Sequence, residues 1–112
     1  MTLTTSDAED TRIVTVLSER IDAALAIRFK DDMRAATVGG PNRVVLDLSQ
    51  VAFIDSSGLG AIVAAMKQLD PDRRLDLAGL TPTVDKVFRL TRMDTVFTLY
   101  PTLGEALDAQ AR

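Results

Sequence analysis

Residues 43–60 read RVVLDLSQVAFIDSSGLG, and the order of residue types along this stretch decides the fold class. Its first part, 43–49, is a near-continuous apolar run, the pattern of a strand buried on both faces in the middle of a sheet. A second apolar patch, Val51 to Ile54, is closed by Asp55, Ser56 and Ser57. From Ser57 onward the period changes: Leu59, Ile62, Val63, Met66 and Leu69 form one stripe at helical spacing. A buried strand followed at once by a helix is the unit of α/β folds with a largely parallel sheet.

Working outward, the same alternation continues on both sides. Upstream, residues 12–18 (RIVTVLS) are β-branched and read as a strand, paired with a short one near residues 2–5. Asp22 then caps a helix whose inward positions are Leu25, Phe29, Met33 and Ala36, and VGGPN (38–42) ends it with Gly and a following Pro. Downstream, Asp70-Pro71-Asp72 is a turn, and 74–79 (RLDLAG) alternates as a strand. Thr81 and Pro82 open a helix with Val84, Val87 and Phe88 inward. A last strand spans 96–100, and Thr102 caps a final helix with Leu103, Ala106 and Leu107 inside. The predicted order is β-β-α-β-α-β-α-β-α. It makes a single small α/β domain over residues 1–112, a mixed, mostly parallel sheet with four helices and right-handed crossovers.

Composition narrows the chemistry. The chain has 112 residues with 13 Lys+Arg against 16 Asp+Glu, a formal charge of −3, which argues against broad nucleic-acid binding. Hydrophobic residues make up 46% and aromatics only 4%, so a core forms and it is aliphatic. There is no Cys and no His. That removes disulfides, thiolate nucleophiles, Cys- and His-ligated metal sites and the Ser-His-Asp triad. The start lacks the basic and apolar regions of a signal peptide, and the most apolar stretch, 58–66, is shorter than the roughly 20 residues a membrane span takes. The expectation is a cytoplasmic protein without membrane insertion.

Functional groups in open α/β sheets collect beyond the carboxyl ends of the strands, where Asp55-Ser56-Ser57-Gly58 falls. Asp and Ser are preferred helix caps, so a helix start accounts for part of this run, with Ser57 the better N-cap. Two glycines in a first turn each lose roughly 0.5–1 kcal/mol against Ala, which a cap does not need. Gly58 and Gly60 instead permit close approach of another backbone or a bulky group. Enzyme motifs fail here. No Gly-x-Ser-x-Gly surrounds either serine, Gly58 and Gly60 are followed by Val63 where a dinucleotide loop needs Gly, and no Gly-Lys-Ser/Thr is present. An aspartyl-phosphate receiver would need a Mg²⁺-binding acidic cluster; Asp22, Asp47 and Asp55 exist, but Asp47 lies inside its strand.

The run VAFIDSSGLG (51–60) resembles the signature of the STAS domain, in particular of the bacterial anti-sigma-factor antagonists. The likeness extends to the turn at 17–22, the buried strand at 44–48, the strand and helix at 75–79 and 84–90, and the closing helix at 105–107. Two positions depart: Glu19 and Arg92 stand where the family commonly has Gly. The resemblance implies a non-enzymatic partner switch in transcription regulation and stress response, without cofactor or metal. Its partner is an anti-sigma factor with serine kinase activity, whose capture frees the sigma factor. That kinase phosphorylates Ser56, and a metal-dependent serine phosphatase restores it. Asp22, Asp55, Ser56, Ser57, Gly58 and Leu59 form the implied binding surface, with Asp55 positioning the hydroxyl or capping the helix and Gly58 leaving space for the partner. A different member type, a constitutive subunit of a lipid-transport ATPase, would lack the phosphoserine; the intact Asp-Ser-Ser-Gly favours the switch. A carboxylate-based hydrolase is the enzymatic rival, disfavoured by the absence of His and Cys.

Other residues carry structural expectations. Ile27 and Met93 fall off their stripes as scattered exposed apolar residues. Arg73-Arg74 reads as a solvated strand entry, and Tyr100-Pro101 as a strand end packed on the last helix.

Overall fold

A computed structural model describes residues 3–110. The apolar run of 43–49 forms the central strand β4 (Arg43–Asp47), with Val44, Val45 and Leu46 fully buried. It lies parallel between β2 (Thr11–Val16) and β6 (Arg74–Ala78). β1 (Leu3–Ala8) closes one edge antiparallel to β2, and β7 (Leu99–Tyr100) closes the other parallel to β6, giving the order β1-β2-β4-β6-β7. The expected strand near residues 2–5 is thus β1; Thr2 lies outside the described residues. The last strand is shorter than expected, because Met93–Thr95 forms a 3-10 turn and only Leu99 and Tyr100 pair with β6.

Alternate side chains of a strand face opposite ways, and the two faces are covered differently. Val14, Val16, Val44, Leu46, Leu75 and Leu77 pack into the main core. That core is roofed by α1 (Ala23–Thr37), α2 (Ser56–Lys67) and α3 (Pro82–Leu90), through Phe29, Met33, Ile62, Val84 and Phe88. On the other face, α4 (Leu103–Gln110) seats Ala106 on Val45 and Ala78, with Tyr100 and Leu103 beside them. Tyr100 therefore packs against the last helix as expected. The same face buries an ion pair: Arg43 donates from Nε to Asp76 at 3.0 Å and from Nη1 to the Ala106 carbonyl at 2.8 Å. Arg74 donates to the same carboxylate at 2.9 Å, which raises its pKa.

Four expectations need correction. Of the expected α2 stripe, Ile62 is fully buried and Leu59, Val63, Met66 and Leu69 are only partly buried against the core, while the small residues Gly58, Ala61 and Ala65 are buried as well. Arg73 is not solvated: its guanidinium donates to the carbonyls of Thr37 (2.5 Å) and Pro41 (2.9 Å) and so clasps the end of α1. Met93 is partly buried against the core, whereas Ile27 is exposed as expected. Thr81 is the N-cap residue of α3 as expected, but its side chain makes no cap bond; the hydroxyl donates instead to the Val51 carbonyl at 2.8 Å. At the departure Arg92 the backbone is left-handed, φ 63°, a conformation Gly adopts without strain.

Candidate functional site

Two short strands, β3 (Arg20–Ile21) and β5 (Phe53–Ile54), pair in parallel as a separate small sheet, Arg20 opposite Phe53 and Ile21 opposite Ile54. Each runs through one aspartate into a helix: Asp22 into α1 and Asp55 into α2. The sequence echoes itself at this point, Arg-Ile-Asp-Ala-Ala (20–24) beside Phe-Ile-Asp-Ser-Ser (53–57). Ile21 and Ile54 turn into the core, and period-2 alternation turns Arg20 and Phe53 outward.

Both aspartates satisfy helix-start N–H groups that have no partner within their own helix. Asp22 accepts from the Leu25 amide at 3.3 Å, so the expected cap stands. On α2 the cap is Asp55 rather than Ser57: its Oδ1 accepts from the Gly58 amide at 2.9 Å. Its Oδ2 accepts from the Ala23 amide at 3.3 Å, at the start of the neighbouring helix. One carboxylate thereby ties together two helix N-termini, where the macrodipoles favour negative charge. Ser56 and Ser57 are then the first two residues of α2, and both are exposed.

Gly58 is buried, and a Cβ on it would come 1.9 Å from the Ile21 carbonyl oxygen. Its missing side chain makes room for β3 of the same chain, which corrects the expectation that it leaves space for a partner. Leu59 is partly buried against the core. Among the six expected site residues, Asp22, Asp55, Ser56 and Ser57 share one surface, while Gly58 supports it from below.

Sequence reasoning missed Arg20 and Phe53. The Arg20 guanidinium lies over the Phe53 ring, 4.4 Å from its centroid, and its Nε donates to Asp22 Oδ2 at 3.3 Å. Both side chains are exposed, as is Leu17 nearby in sequence. The signal was the echo itself: equal positions before two capping aspartates belong on one face.

Among the described residues no group of three His, Cys, Asp or Glu side chains could hold a metal ion. Nor is any described helix long and apolar enough to cross a membrane.

Comparison with known proteins agrees with this architecture. The STAS domain family model matches residues 3–106. The anti-sigma-B factor antagonist of Listeria monocytogenes is 30% identical over 86 residues, 76% of this chain and 75% of that one. The crystal structure of an anti-sigma factor antagonist from Mycobacterium paratuberculosis superposes with a TM-score of 0.86 at 31% identity, covering 96% of this chain and 92% of that one. The phosphorylated form of the Bacillus cell fate determinant SpoIIAA shares the fold alone, with a TM-score of 0.68 at 21% identity over 98% of this chain and 99% of that one. With a family match over most of its length and the strand-to-helix serine motif in place, the chain belongs to the STAS domain family.

Proposed function

We propose that this chain is an anti-sigma-factor antagonist: a non-catalytic protein that docks an anti-sigma factor on the end where α1 and α2 begin, and that is switched by phosphorylation of Ser56. The observation that carries the reading is Ser56, exposed at the first position of α2 and directly following a carboxylate that braces both helix starts. A kinase can reach such a hydroxyl without unfolding anything. The names of the Listeria and Mycobacterium relatives support the antagonist role, and SpoIIAA, which shares the fold, exists in a phosphorylated form. The partner is an anti-sigma factor with serine kinase activity, opposed by a metal-dependent serine phosphatase.

The switch works by charge. A phosphoserine carries about −1.5 to −2 charges at pH 7. Added next to Asp22 and Asp55, it puts a hydrated dianion in the contact surface. Burying it without a matching cation costs several kcal/mol, while about 1.4 kcal/mol already weakens binding tenfold. The fold itself is untouched, because Ser56 is exposed.

The test is recovery of partners from the native cytosol, followed by labelling with radioactive ATP. Wild type takes up phosphate from the recovered kinase and Ser56→Ala does not. Ser56→Asp binds at least about tenfold more weakly, with an unchanged thermal midpoint. Equal labelling of Ser56→Ala overturns the site, and undiminished binding of Ser56→Asp overturns the charge mechanism. Recovery with transporter subunits in place of a kinase overturns the antagonist role.

A further inference from the structure

We propose that Arg20 is the internal receptor for the phosphate on Ser56, so that phosphorylation also moves Arg20 off the Phe53 ring and rebuilds the docking surface. This rests on the phosphoserine reading above and adds to it a residue and a motion.

A phosphate on Ser56 would sit at the start of α2, next to Asp55. Among the helix N–H groups around Ser56, Gly58 and Ala23 already donate to Asp55, and Leu25 donates to Asp22. The new dianion therefore faces two carboxylates that hold the favourable positions at the helix starts. A cation within reach relieves that repulsion beyond what the first-turn amides of α2 offer. Arg20 lies on β3 in register with Phe53, three residues before Ser56, and its Nε is already on Asp22, the residue next to Ala23. Its hydrogen bond runs from Nε to Asp22, and its side chain is 61% exposed, so the ring contact with Phe53 is what it has to leave.

The exchange is downhill in charge. In the unmodified protein Arg20 has one hydrogen bond to a monoanion at 3.3 Å and a ring contact. A phosphate dianion offers bidentate, charge-assisted bonds, which are the stronger kind. An exposed cation–π contact is weak beside such bonds, so it gives way. The outcome is a partly neutralised phosphate, a bared Phe53 ring and an Asp22 carboxylate without its cation, three changes on one surface from one modification.

Phosphoserine installed at position 56 by genetic-code expansion tests this without any kinase. The readout is the second ionisation of the phosphate, followed by phosphorus NMR. Asp22, Asp55 and the exposed Glu19 act on the phosphate in every variant, so the comparison isolates Arg20. Its midpoint in the otherwise wild-type protein lies about one pH unit below that in Arg20→Gln, with Arg20→Lys between them. Phe53→Leu keeps the low midpoint, because the ring only parks the guanidinium. Unphosphorylated Arg20→Gln has the wild-type thermal midpoint, which separates the effect from misfolding. Coincident phosphate midpoints in wild type and Arg20→Gln overturn the proposal and leave the kinase switch standing, since labelling and partner binding are measured separately.

Discussion

A methyl group on Gly58 would meet the Ile21 carbonyl oxygen at 1.9 Å, while one on Gly60 would meet nothing within 4 Å. The same substitution therefore has opposite signs two residues apart. Gly58→Ala forces the start of α2 away from β3 and costs about 2–3 kcal/mol, as overpacking does. Gly60→Ala gains about 0.5–1 kcal/mol of helix propensity. Urea melts of the two variants against wild type read both directly. The sequence marked both glycines as more than a cap requires, but could not tell them apart, since the reason lies in a backbone 37 positions away from one and absent from the other. Arg92 is the mirror case. It was legible as a departure from a common Gly, but only the backbone, at φ 63°, says why Gly suits the place.

Asp7 and Arg12 join the two strands of the β1–β2 hairpin, with Arg12 Nε on Asp7 Oδ1 at 2.9 Å, and Arg12 reaches on to the Ala36 carbonyl of α1 at 3.1 Å. The Arg12 hydrogen bond holds the Asp7 carboxyl below its ordinary value of 3.8. A lowered carboxylate stabilises the fold above its unfolded pKa, and the contribution disappears as pH falls through the folded value. Asp7→Asn accordingly has a lower thermal midpoint than wild type at neutral pH, and the two curves converge in the acid range below pH 3.8. The effect is small, because the pair is solvent-exposed. Elements of ordinary length were readable from period alone, including α1 with its Asp22 cap. The two-residue strands β3 and β5 were not, since a dyad has no period to detect. The stripe read on α2 contained the buried Ile62 but missed Gly58, Ala61 and Ala65, because large aliphatics outweigh small ones in a hydrophobic count although small residues are buried where neighbours approach closely, as the β3 backbone does at Gly58.

Across the whole molecule, the sheet separates two unequal layers: a three-helix core on one side and α4 alone on the other. Asp76 is 1% exposed and holds Arg43, which in turn holds the Ala106 carbonyl. Asp76→Ala strands a buried guanidinium and costs about 3–5 kcal/mol, seen as a large drop in the calorimetric midpoint. Arg43→Met with Asp76→Leu recovers much of it, as apolar replacement of a buried pair does. Element order and the mixed, mostly parallel sheet were legible because strands and helices alternate so regularly. The buried pair was not: Arg43 and Asp76 read as ordinary strand-end and alternating polar residues until the register set β4 beside β6.

The isolation of α4 on its own side of the sheet has a practical use. Because the chain contains no cysteine, a single thiol introduced at the exposed Asp108 gives one unambiguous point for attaching a dye. There the fluorophore stands behind the sheet, away from the Ser56 face, and reports tumbling and complex formation without obstructing it.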